Sequence, residues 1–119
     1  GQDYISAMWD DLYPPGSHGV RYETRGVAPN RELIVRYDVQ GYPSTPSTTV
    51  FAMVLHETSN RIDVCYFDTN FMSASFDRGI GARSSINHSL TTPGPVTGLQ
   101  FSCSAPNLVD GLLVQYIHP

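Results

Sequence analysis

Lysine is absent from this chain of 119 residues; its seven basic residues are all arginine, set against eleven acidic ones for a net charge of −4. No basic stripe accompanies that balance, which sets nucleic acid aside as a partner. Charged residues are scarce at 15%, while 40% of the chain is hydrophobic, and that combination excludes disorder. No apolar run approaches the roughly 20 residues of a membrane-spanning helix. Helical periodicity is missing too, since no stretch sustains it. The chain has no CxxC or Cys/His metal spacing and no GxSxG elbow, so neither a zinc site nor a hydrolase nucleophile is marked. No leader peptide is visible. The chain, opening at Gly1, reads as one domain over 1–119 excised from a larger exported protein.

What the chain does have is alternation with period two. "RELIVRYDV" puts Leu33, Val35, Tyr37 and Val39 on one face and Ile34, Arg36 and Asp38 on the other. "TTVFAMVLHE" is apolar on both faces, which reads as a central strand covered on both sides. "NRIDVCYFD" turns Ile62, Val64 and Tyr66 inward, opposite Arg61, Asp63, Cys65 and Phe67. "DYISAMW" and "GVRYETR" precede these runs, and "GIGARSSIN", "GLQFSCS" and "GLLVQYI" follow them. Eight of the nine prolines fall in connectors such as "YPPGSHG", "GYPSTPS" and "TTPGPVTG" and none inside a proposed strand, as a sheet requires, because proline cannot donate to a ladder. Seven or eight short strands at this spacing predict an all-β fold, an antiparallel two-sheet β-sandwich of jelly-roll type.

Adjacent residues on a strand face opposite ways, so Asp10 and Asp11 do not address one substrate together. Capping of the "YPPG" turn is the favoured role; a calcium site helped by Asp68 and Asp77, or catalysis, are the alternatives. No other cofactor or metal is expected. His18, His56, His88 and His118 are scattered and read as surface or strand-edge residues. Cys65 and Cys103 can form one intrachain bridge. It would close a loop of about 38 residues and contribute roughly 4 kcal/mol; the alternative is two buried thiols. The low charge and turn-rich strands of an exported protein favour the bridge.

Aromatic residues in connectors are the candidate ligand contacts: Tyr13, Tyr42, Phe71 and Phe76, with Asp77 and Arg78 as polar partners. The irregular stretch from Phe67 to Gly81 is the longest connector and is read as the recognition loop; its competing role is to cover a sheet edge. "NHS" at Asn87 is a glycosylation sequon in a eukaryotic source.

The order of "MWDDLYP", "GVRYETRGVAPNRELIVRYDV", "TTVFAMVLHETSNRIDVCYFD" and "GLQFSCSAPNLVDGLLVQYI" resembles a β-sandwich module of large bacterial secreted and cell-surface proteins. It is also distantly similar to the extracellular domain of nidogen. The chain departs from the bacterial pattern at "GARSSIN". The resemblance implies a secreted or cell-surface setting, with Trp9 in the core and the carboxylates beside it as framework. It also implies a non-catalytic accessory role in adhesion or in binding a glycan or protein ligand, or else a purely stabilising one beside a protease or repeat region.

Overall fold

The computed structural model describes residues 4–8, 12–14, 16, 19–41, 48–69, 84–88, 97–102 and 108–117. Within them every regular element is a strand: β1 (Tyr4–Ser6), β2 (Leu12–Tyr13), β3 (Gly19–Arg25), β4 (Glu32–Gly41), β5 (Thr48–His56), β6 (Ile62–Asp68), β7 (Ser84–His88), β8 (Thr97–Ser102) and β9 (Leu113–Tyr116). All pairings are antiparallel. Six strands make one sheet in the order β2-β4-β5-β6-β9, with β3 also beside β4, and β1-β7-β8 make a second. Consecutive strands from β3 to β6 are neighbours, so this part is a meander, and the large sheet curls into a half-barrel. The all-β antiparallel class agrees with the sequence; the stacked, jelly-roll sandwich goes beyond these strands and becomes part of the proposal below.

Two turns at one end of the meander hold its register. Between β3 and β4 the chain turns at Gly26, whose φ is +82° and where an added Cβ would lie 2.6 Å from the Asn30 carbonyl oxygen. Only glycine fits there. Between β5 and β6, Thr58 and Asn60 take φ of 69° and 53°. Arg31 joins the two turns. Its Nε and Nη2 donate to Glu57 at 2.9 and 2.6 Å, and its amide donates to the same carboxylate at 3.0 Å. Glu57 returns an amide hydrogen bond to the Arg31 carbonyl at 2.9 Å, and the Thr58 hydroxyl donates to the Pro29 carbonyl. Such a bidentate Arg–carboxylate grip fixes geometry better than a single ion pair.

The core lies on the inner face of the sheet, where the alternating apolar positions converge. Val39, Phe51, Val64, Tyr66, Val114 and Tyr116 are all buried there. Tyr37 stacks on Phe51, its direct cross-strand partner, with centroids 4.7 Å apart. Ala7 and Met8, just past β1, complete the cluster, and the Tyr66 hydroxyl donates to the Ala7 carbonyl. β5 is central, as its sequence implies, but its outer face is not covered by any described element. Leu33, expected in the core, is 38% exposed because it lies near the turn end of β4, opposite Thr24 of the edge strand β3.

Candidate functional site

On the outer face the register lines side chains up in rows across the strands. One row runs Arg21, Arg36, Ala52, Cys65 and Leu113 from β3 to β9; the next runs Glu23, Ile34, Val54, Asp63 and Gln115. A third sets Arg25, Glu32 and His56 side by side. Between the first two rows lies a groove of about 540 Å³ whose floor is Ile34, Ala52, Val54 and Cys65. Phe67 stands beside it 58% exposed, and Arg21, Arg25 and Arg36 fringe the β3 side. A volume of that size falls in the range of ligand pockets, and an apolar floor with a few charged groups is how such pockets are lined.

A compact polar network closes the turn end of this face. His56 Nε2 is 2.8 Å from Asp63 Oδ2, and its Nδ1 is 3.1 Å from Glu32 Oε1. Gln115 donates to Asp63 Oδ1 at 3.1 Å, and Arg61 Nη2 lies 3.1 Å from His56 Nε2. Arg61 Nε sits 3.0 Å from Asp63 Oδ1 as an ion pair, without the alignment of a hydrogen bond. Burial resists ionisation of Asp63, but the donors His56 and Gln115 and the adjacent Arg61 charge outweigh it and hold its pKa below the usual carboxylate value. The His56 side chain is 13% exposed, which overturns its reading as a surface or strand-edge residue. Register explains this: β5 is central, and carboxylates from β4 and β6 close over the ring from both sides. Among the described residues both ring nitrogens face carboxylates.

The residues singled out from sequence divide sharply. The Tyr13 hydroxyl donates to Gln40 Oε1 at 3.1 Å across β2 and β4. Asp68 accepts from the Thr48 hydroxyl at 2.9 Å, and Asp110 accepts from the Thr69 amide and hydroxyl at 2.7 and 2.8 Å. Among the described residues no group of three or more His, Cys, Asp or Glu side chains is disposed to hold a metal. Among the described residues Cys65 has no disulfide partner, and burial and the charge of Asp63 raise its thiol pKa; its expected partner Cys103 lies outside the described residues. So do Trp9, Asp10, Asp11, His18, Tyr42, Phe71, Phe76, Asp77, Arg78 and His118, and the side chains of Asn87 and His88. The outer groove is the surface that the sequence reading missed. Its signal was there in Arg21 and Arg25 two turns of the pleat apart, with Arg36 across the hairpin.

The described strands thus form a curled antiparallel sheet that is packed on one face and presents an arginine-fringed apolar strip on the other. The chain belongs to the NIDO-related family, whose model matches residues 1–109. That relationship to nidogen domains points to an extracellular setting. No curated protein and no solved structure matches the chain.

Proposed function

We propose that this chain is a non-catalytic accessory module of an exported protein, binding a protein ligand through the outer face of its six-stranded sheet. The observation that carries the reading is the groove itself: Ile34, Val54 and Phe67 offer apolar contact, while Arg21 and Arg36 stand along one side beside an Arg25–Glu23 ion pair, leaving an excess of positive charge there. Such a groove suits a segment with an apolar or aromatic anchor flanked by carboxylates, since arginine forks pair bidentately with carboxylates. In the same proposal the three-stranded sheet closes over the inner face and completes a two-sheet sandwich. Support for this comes from Ala7 and Met8, which leave β1 and pack directly into the core of the large sheet. The alternative, a purely stabilising domain, draws on the Arg31–Glu57 grip and the His56 network, both of which serve the sheet alone.

The test is selection of a displayed library of random peptides, run beside a glycan array. Enriched peptides should carry Asp or Glu around an aromatic or aliphatic residue. Arg36→Glu or Phe67→Ser should weaken their binding about tenfold or more, while melting moves little, as surface changes do. Hits confined to the glycan array would turn the reading to carbohydrate. Peptides that bind both variants as well as the parent would refute the groove as the site.

A further inference from the structure

β3 is an edge strand: among the described residues its one neighbour is β4. Six of its seven residues are exposed, with Val20 at 53% and Tyr22 at 81%. Natural proteins usually blunt such an edge with charge, because its free N–H and C=O groups accept another strand. Here the charges alternate in sign in a way that invites one partner in particular. Read outward from Tyr22, the midpoint of Gly19–Arg25, the strand carries Arg21 on one side and Glu23 on the other.

We infer that β3 pairs antiparallel with β3 of a second copy, about a two-fold axis through Tyr22 and perpendicular to the sheet. In this register all seven strand residues find a partner. Arg21 faces Glu23 of the second copy, and Glu23, which also pairs with Arg25 of its own strand, faces its Arg21, giving two opposite-charge pairs on the outer face. Val20 meets Thr24 twice on the inner face, and the two Tyr22 rings meet at the axis. Opposite charges and aromatic or β-branched pairs directly across a ladder stabilise it, and like charges destabilise it. Neighbouring two-fold registers fail that rule: an axis through Arg21 sets two arginines opposite each other, and one through Glu23 opposes two glutamates. The contact is isologous, so it closes at two copies instead of growing into a fibre. It joins the two large sheets into one and sets the two outer grooves side by side.

One paired edge buries less than the roughly 1,200–2,000 Å² of a standard interface, so the dimer belongs in the range of weak association, on the order of 10–100 µM. Sedimentation velocity over a concentration series in low salt should show monomer passing to dimer, with the transition moved to higher concentration by added salt. Glu23→Arg alone sets arginines against arginines, and Arg21→Glu alone sets glutamates against glutamates; each should stay monomeric at every concentration. Mixed together, those two variants regain both opposite-charge pairs and should form a one-to-one heterodimer, which also shows that each is folded. A parent that stays monomeric throughout would overturn the inference. So would single variants that dimerise like the parent, or a mixture that does not associate.

Discussion

Replacing Tyr66 by Phe removes one oxygen from a side chain that is 1% exposed, and nothing else. That hydroxyl donates to the Ala7 carbonyl, and Ala7 is itself buried. The change in volume is small, so the cavity contribution is minor. What dominates is a buried carbonyl that loses its donor, and such an orphan costs about 1–3 kcal/mol. At about 2.1 cal/mol/K of unfolding entropy per residue, a chain of 119 residues loses roughly 4 °C of melting temperature per kcal/mol. Tyr66→Phe should therefore melt about 4–12 °C below the parent. Tyr13→Phe, which breaks a half-buried hydrogen bond to Gln40 where water can substitute, should cost about 0.5 kcal/mol. Hydrogen exchange adds a local readout, since the segment around Ala7 and Met8 should exchange faster in Tyr66→Phe while β5 stays protected. A melting temperature within a degree of the parent, with unchanged exchange at the N-terminal segment, would refute the claim that this hydroxyl docks the segment to the sheet.

The pH dependence follows from carboxylates held below their ordinary pKa. Asp63 is lowered by the donors around it and Glu57 by Arg31, the latter to about 2. Each therefore contributes stability that is fully present above the unfolded carboxylate value near 4 and is lost as pH falls through the folded one. Thermal melts of Asp63→Asn and the parent should differ most near pH 7 and converge below about pH 4; a constant gap would contradict the linkage. Gly26→Ala should cost about 1–3 kcal/mol in urea denaturation, because φ of +82° and the Asn30 carbonyl both oppose a Cβ. An unchanged midpoint would mean that the turn has another way to close.

The hairpin strands were legible because each carries its own alternation. Leu33 to Val39 and Ile62 to Tyr66 declare their inner face without help from any neighbour, and the stacking of Tyr37 on Phe51 follows once those faces meet. The position of a strand within the sheet is not written in its alternation. Leu33 reads like Val39, yet Val39 is buried and Leu33 is partly open, since one sits at mid-sheet and the other near the turn beside the edge strand. His56 was misread for the same reason. Its environment is assembled from Glu32 and Asp63, which approach only when β4 and β6 flank β5. The apolar outer side of β5 implies a covering layer; among the described residues Val54 and Ala52 floor a groove there.

A net charge of −4 argues at first sight against a face that attracts acidic partners, but the placement of the charges reverses that expectation. Glu57 is held by Arg31 and Asp63 by Arg61 and Gln115, and His56 stands between Glu32 and Asp63. Glu23 pairs with Arg25 within β3. The acids of the turn end are thus spent on partners that belong to the sheet, while the register brings Arg21 and Arg36 together over an apolar floor. Charges beside low-dielectric surface set a stronger local field than the same charges in open water. Among the residues lining the groove three arginines stand against the single carboxylate of Glu23, so the local charge there is positive although that of the chain is negative. Added salt should weaken an acidic ligand there far more than it disturbs the fold.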